Sequence, residues 1–540
     1  MQLNKTAKRI LSIRISGKQR KEKISNLLYS LAQFRNLLII FNKIYQQNYG
    51  RWILNESYLY ALVNNKGYKP RESKENFIEK LKEFKTITDN IEKVNQLKDF
   101  QDKLIKQKQK IKNNYTVQTL IRQLIKDYKS FFKSIQKYKE NSNSFNAIPR
   151  PPKAKKLKDI PSFTAELNVN TFKVLEEEKG KHLLITLTNN KEEKQYLKVK
   201  LPKDFNYEIK SARIKFIASD IYVDIVYTIP ETQINSNQEK THIAGIDLGL
   251  DNLITLFSTN KELQTIIVSG KEIKSINQWY NKEKAKLQSK IDNIQNQINK
   301  LQKDNLDTTA LEKEKKLLIK KQKELSAYRN RWITDTFHKI TRKITDFLNE
   351  TGHKEVYIGK GATESKNGIN LSTKTNQNFV NIPFRKLINQ LKYKLEEYGV
   401  KLTEVAEEFT SKTSPFADLH KVLETGKEYL KAKTEGNEGI LKQLKEKLNQ
   451  LYNGIRIKRG LYKDNITNKV FNANAVGSYN ILRKEAKPLI DEETLIDKLS
   501  RPIRLTLNLI SKVTCESLLE IAGRRPLRVH CKRTLVNNFL

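Results

Sequence analysis

Cysteine is nearly absent from this 540-residue chain, with only Cys515 and Cys531, both close to its end. They form no C-x-x-C pair, so neither a disulfide framework nor a structural zinc site is expected, and the chain reads as intracellular and reduced. The six histidines are scattered without a pair at metal-ligand spacing. Long apolar runs are missing too. No stretch of about 18 apolar residues and no leader with a small-residue cleavage site occurs, which argues against a membrane partner. Acidic residues fall short: 60 Asp and Glu stand against 102 Lys and Arg, a formal net charge of +42. A folded protein with that excess repels itself unless a polyanion neutralises it. A Lys- and Asn-rich coding bias would raise the count as well. The lysines run the whole length, whereas a membrane anchor would gather them at one end. Nucleic acid is the expected partner.

What is present is periodicity. Ile10-Leu11-Ser12-Ile13-Arg14-Ile15 alternates with basic residues nearby and suits a short strand. From Ile24 through Leu27, Leu28, Leu31, Phe34, Leu37, Leu38 and Phe41 the steps become three and four, which predicts an amphipathic helix. Similar patterns over 55–63, 75–84 and 117–138 make residues 19–146 a helical lobe with basic faces. Pro149-Arg150-Pro151-Pro152 ends it, because proline lacks an amide donor and extends the backbone. Alternating runs at 163–169, 182–187, 196–201, 212–217 and 221–229 predict a small barrel or sandwich within 147–238. The strand within 1–18 could pair with it, leaving the lobe as an insertion. Leu287, Ile291, Ile294, Ile298 and Leu301, followed by Leu311, Leu318, Leu325 and Trp332 at sevens, predict an antiparallel helical hairpin over about 271–350.

The chemistry concentrates further on. Ile243-Ala244-Gly245-Ile246-Asp247-Leu248-Gly249 is an apolar strand that leads into one acid and a glycine, with Leu253 to Phe257 as a returning strand. An acid there could bind a divalent ion. It could also be a buried structural Asp, or open an actin-like nucleotide site. Glu355 to Gly359 reads as a second strand, a helix begins at Pro383, and Val400 to Glu407 reads as a third strand that delivers Glu407 at its carboxyl end. Val470 to Leu482 reads as a helix whose small residues permit close packing on a sheet.

These residues resemble the TnpB-type nucleases encoded by transposons and the type V CRISPR effectors descended from them. The resemblance covers most of 1–485. Phe34-Arg35-Asn36-Leu37 and Asn55-Glu56-Ser57-Tyr58 look like that family's recognition lobe. Pro149-Arg150-Pro151-Pro152-Lys153 and Tyr222-Val223-Asp224-Ile225-Val226-Tyr227 look like its wedge barrel, and Gly245-Ile246-Asp247-Leu248-Gly249 its first RuvC motif. Asn376-Gln377-Asn378-Phe379-Val380, Ile382-Pro383-Phe384, Thr410-Ser411-Lys412-Thr413-Ser414 and Arg456-Ile457-Lys458-Arg459-Gly460-Leu461-Tyr462 match a subgroup without the zinc ribbon.

The resemblance implies a multidomain α+β protein. A RuvC (RNase H-like) α/β domain at 239–485 would carry the hairpin and a target-nucleic-acid loop over about 410–465. Before it would come a wedge β-barrel (1–18 and 147–238) carrying the inserted recognition lobe (19–146), and after it a tail of unknown role (486–540). The implied activity is RNA-guided cleavage of duplex DNA beside a short adjacent motif, with two Mg²⁺ ions and a guide RNA, in a prokaryotic cytoplasm at the nucleoid.

Two departures bear on that activity. The second carboxylate, a Glu at the end of the 355–359 strand in most relatives, is Gly359 here; the subgroup places it at Glu407, preferred over the neighbouring Glu408. The third, an Asp six residues before Asn480, is Asn474. The metal set implied is therefore Asp247, Glu407 and Asn474, and cleavage is expected to be weak or absent while nucleic-acid binding persists. The rival actin-like ATPase reading lacks a second phosphate-binding glycine turn and leaves the charge unexplained.

Overall fold

The structure, a computed structural model, describes residues 6–64, 91–145, 147–155, 163–178, 180–189, 194–203, 205–217, 220–230, 240–361, 381–458, 460–512 and 514–523. The helix expected at 75–84, the Asn376–Val380 motif and the basic end of the tail lie outside them. The chain divides into two compact units, Met1–Glu231 and Thr232–Leu540.

In the first unit, β1 (Thr6–Ile15) pairs antiparallel with β7 (Asp220–Pro230), in register from Thr6 opposite Pro230 to Ile15 opposite Ile221. Between them come β2 (Thr164–Leu167), β3 (Phe172–Glu177), β4 (Gly180–Asn189), β5 (Lys194–Lys200) and β6 (Glu208–Ile217). The strands form two sheets, β1-β7-β6-β2 and β3-β4-β5, and among the described residues no pairing closes them into one barrel. Among the described residues, the α-helices Lys18–Tyr49, Glu56–Val63, Ile91–Ile111 and Asn114–Glu140 lie between β1 and β2 in the chain. In the first of them Ile24, Leu28, Leu31, Phe34, Leu38 and Phe41 are buried, so the three- and four-residue spacing marks its core face. By length and composition alone the Lys18–Asn48 stretch could cross a membrane, but half of its most apolar window is buried within the protein. The helix stops at Gly50, whose φ of 70° is a left-handed conformation that glycine adopts without strain.

The second unit is built on one six-stranded sheet in the order β12-β11-β8-β9-β10-β16. Its strands are β8 (His242–Leu248), β9 (Asn252–Ser258), β10 (Ile266–Ser269), β11 (His353–Gly359), β12 (Lys401–Val405) and, far along the chain, β16 (Ile503–Leu505). β8, β9 and β10 are antiparallel neighbours; β11 and β12 run parallel to β8 on its other side. The chain thus leaves β8 toward one edge and returns to the other, so the strand order reverses between β8 and β11. Such a reversal opens a crevice at the carboxyl ends of the strands.

Each face of the sheet is covered. Ala244, Ile246 and Leu248 of β8 pack with Phe337, Ile340 and Ile344 of the Thr309–Glu350 helix and with Phe384, Leu387, Ile388 and Leu391 of the Phe384–Glu397 helix. The opposite face joins Phe257, Tyr357 and Val405 to Ala473, Val476, Ile481 and Leu482 of the Ala473–Glu485 helix. Strand alternation sends Gly245 and Asp247 to this second face. The Lys271–Lys303 and Thr309–Glu350 helices pack against each other, and Ile291, Ile294 and Ile298 of the first are buried.

One reading of the sequence changes. Val470–Asn472 is not the start of a helix but a strand, β15, paired with Leu461–Asp464 (β14), which in turn pairs with Gly454–Lys458 (β13); the helix begins at Ala473. The residues after 486, expected only as a tail of unknown role, include a strand and a buried lysine that join the sheet. β16 pairs in parallel with β10, and Lys498, fully buried, donates to the carbonyls of Ser258 (2.8 Å), Asn260 (2.6 Å) and Leu263 (2.5 Å). A three-residue strand is too short to show alternation, which is why the sequence conceals it.

His353 opens β11 in full burial. Its Nε2 lies 2.8 Å from the Ser258 hydroxyl and its Nδ1 2.8 Å from that of Thr351. Burial first, then the charges of His242 and Lys498, hold its pKa down at about 3. The unfolded chain, with an ordinary imidazole near 6.5, binds more protons below that pH, so the stabilisation present above it is lost as pH falls toward the folded value. Denaturant unfolding at pH 7.5 and 5.0 should show the parent losing about 2 kcal/mol more than His353→Gln on acidification. Equal losses would show that the imidazole is not held neutral.

Candidate active site at the carboxyl ends of the parallel strands

Asp247 sits one residue before the end of β8. The parallel pairing of β8 with β11 runs to Ile246 opposite Ile358, so Asp247 and Gly359 follow side by side. Below Asp247, Gly245 allows the Ala473–Glu485 helix to approach. A Cβ there would lie 2.1 Å from the Ser478 carbonyl oxygen and 2.9 Å from Leu482 Cβ. The Asp247 carboxylate itself rests on Gly477 of that helix, where a Cβ would be 3.1 Å from Oδ2. Burial pushes this carboxyl up to about 7, against the opposing pull of the Arg456 guanidinium and a backbone hydrogen bond at Leu248.

Glu407 follows β12 by two residues and turns onto Gly359 and Gly361. A Cβ at Gly359 would fall 2.1 Å from Glu407 Oε1, and one at Gly361 would fall 2.3 Å from Oε2. The Glu407 carboxyl group therefore fills the space that a side chain at 359 would occupy. Its backbone is fixed on both sides. Lys484 Nζ donates to the carbonyls of Ala406 (2.8 Å) and Glu408 (3.3 Å), while Asn480 Nδ2 donates to those of Thr410 (2.9 Å) and Thr413 (2.7 Å). Arg483 holds the carbonyls of Ser414 and Ala417 in the same segment. Glu408 is exposed and stands 3.7 Å from Lys484.

Asn474 lies in the first turn of the same helix, which Asn472 caps by accepting from the N–H groups of Asn474 and Ala475. It precedes Gly477 by three residues, so it shares the helix face on which the Asp247 carboxylate rests. One helix thus carries Asn474, one turn before the Gly477 on which the Asp247 carboxylate rests, and clamps the Glu407 segment with Asn480, Arg483 and Lys484 at its other end. The sequence singled out Asp247, Glu407 and Asn474. It did not single out Gly361, Gly477, Arg483 or Lys484, whose roles depend on packing across elements; the glycines were legible only as small residues.

Among the described residues no group of three His, Cys, Asp or Glu side chains comes together to hold a metal. Asp247 and Glu407 each offer a carboxylate and Asn474 an amide oxygen, donors of the kind a hard divalent cation takes.

Residues 224–364 match the family described as probable transposase, OrfB_IS605, and residues 384–481 match that of the Cas12f1-like TNB domain. No curated protein matches the chain. Among solved structures, the chain is similar to the protein of a Cas12f1–sgRNA–target DNA complex, with 14% identity over 89% of this chain and 100% of that one, and a TM-score of 0.40. It is also similar to that of a CRISPR–Cas12f ternary complex, with 15% identity over 87% of this chain and 83% of that one, and a TM-score of 0.29.

Proposed function

Because the chain belongs to the TnpB/Cas12f-type family across residues 224–364 and 384–481, we propose that it is an RNA-guided, DNA-targeting protein whose RuvC-like nuclease site is impaired by Asn474. The observation that carries this reading is the placement of Asp247 and Glu407 at the carboxyl ends of β8 and β12, the two parallel strands that flank β11, with Asp247 resting on Gly477 of the helix that bears Asn474. The strand order of the second unit, with three antiparallel strands continued by two parallel ones, supports an RNase H-like domain.

In this reading Asp247 and Glu407 would hold Mg²⁺ with the Asn474 amide oxygen as a neutral third donor. When bound, Mg²⁺ would supply an activated water and offset charge at the scissile phosphate. The chain's own residues set the terms. Lys484, Asn480 and Arg483 hold the backbone around Glu407, Gly359 and Gly361 leave room for its carboxyl, and the charge of Arg456 opposes the upward push that burial gives Asp247. An amide at 474 withholds one full negative charge from that set.

Binding draws on a different resource, the excess of Lys and Arg. Guide RNA would supply sequence specificity by base pairing, and duplex DNA carrying a short adjacent motif is the target. The first unit would serve as wedge and recognition lobe, and the prokaryotic nucleoid is the expected setting. A binding-only protein, acting as repressor or targeting module, is the second reading, and the same Asn474 favours it.

The chain purified from its host should retain RNA. Affinity of the RNA-loaded protein for matched duplex should fall linearly in log–log form with salt through counterion release. A preparation free of RNA that still binds duplex, or affinity indifferent to salt, would overturn the proposal.

A further inference from the structure

The first unit holds a cleft of about 400 Å³ between the Asn114–Glu140 helix, Arg35 and the proline-rich segment after it. The side chains of Arg35, Asp127, Ser130, Phe131, Ser134 and Arg150 line it, and Pro149 and Pro152 complete the wall. The wall is fixed. Asn36 Nδ2 donates to the Lys155 carbonyl at 2.7 Å, and the Lys155 N–H donates back to Asn36 Oδ1 at 2.9 Å. Arg35 Nη2 donates to Asp127 Oδ2 at 2.9 Å, which leaves the other carboxylate oxygen outside that bond.

Beside the cleft, Lys126, Lys129, Lys133 and Lys137 follow one another at steps of three, four and four along the same helix, and all four are exposed. Steps of that length keep them on one face. Among the described residues none of the four is in an ion pair. A solvated face would explain the lysines alone. It would not explain why the helix that carries the row also lines a cleft that combines an aromatic ring, two guanidinium groups, two hydroxyls and a carboxylate.

Resting on the proposed function, we infer that this cleft takes one unstacked ribonucleotide of the bound RNA, its flanking phosphates running along the lysine row. Phe131 offers a ring face for the base, and Arg35 and Arg150 offer guanidinium groups for the phosphate. Asp127 decides the sugar. A carboxylate repels phosphate but accepts a hydrogen bond from a ribose 2′-hydroxyl, which deoxyribose lacks.

The test uses the full chain with a thiouridine-labelled single-stranded oligoribonucleotide and its deoxyribose counterpart. After irradiation, the crosslinked peptide is identified by mass spectrometry. The RNA should crosslink within Ser130–Ser134, and the DNA should do so far less. Phe131→Ala should lower the affinity read at that peptide roughly 5- to 100-fold. Arg150→Gln, an exposed change that leaves folding untouched, should lower it as well. Asp127→Ala should remove the preference for RNA over DNA at the same peptide. Crosslinks confined to other elements, or DNA captured as well as RNA by the unaltered chain, would overturn the cleft while leaving RNA binding in place. A chain that binds no RNA at all would overturn the functional reading together with it.

Discussion

With a matched guide RNA and Mg²⁺, the Asn474→Asp variant should cut duplex DNA at least about 10²-fold faster than the parent chain, with duplex affinity unchanged. The expectation rests on charge. Asn474 shares a helix face with Gly477, on which the Asp247 carboxylate rests, so a carboxylate at 474 adds a full negative charge beside Asp247. That carboxyl is already pushed up to about 7 by burial, and a second acid nearby would push it further unless a divalent cation balances both. The variant should therefore bind Mg²⁺ more tightly, and without the ion it should be less stable than the parent. Single-turnover cleavage and a thermal melt with and without Mg²⁺ check both halves. Equal cleavage rates would show that the third position is not what limits the parent.

The second large effect concerns Glu407. In the Asn474→Asp background, Glu407→Gln should abolish cleavage by a factor of about 10³ or more, whereas Glu408→Gln should leave it within severalfold. The contrast follows from placement: Glu407 lies against Gly359 and Gly361 at the strand ends, and Glu408 is exposed beside Lys484. Gly359→Ala should mimic the loss, because its Cβ would fall where the Glu407 carboxyl lies. If Glu408→Gln were the damaging change, the site would be assembled one residue further along the chain.

Much of the scaffold was legible from periodicity. The hairpin heptads, the alternation from Ile10 to Ile15 and the three- and four-residue steps from Ile24 to Phe41 each concern neighbours within one element, where a period of two or of three to four suffices. The candidate site was legible only in part. Asp247 stands out because a lone acid after an apolar strand violates the pattern. Glu407 was legible as the acid at the carboxyl end of the 400–407 strand, preferred over Glu408 because Ala406 and Phe409 bracket the alternation, but its part as second carboxylate came only from the resemblance. What distinguishes them is the pair of glycines at 359 and 361, which sequence shows but cannot bring to the end of β12. β16 and Lys498 were hidden for a similar reason: their partners lie more than two hundred residues away. The two-sheet arrangement of the first unit was equally open, because alternation gives strand faces without pairing partners.

Binding and cutting are the two properties that Asn474 is held to separate, and one experiment reads both. The RNA-loaded parent chain and its Asn474→Asp variant are incubated with the same end-labelled matched duplex in Mg²⁺, and each sample is footprinted and run for cleavage. Protection by both proteins, with cutting marked only in the variant, is the expected result. Failure of the parent to protect the duplex, or cutting by the parent as fast as by the variant, would contradict it.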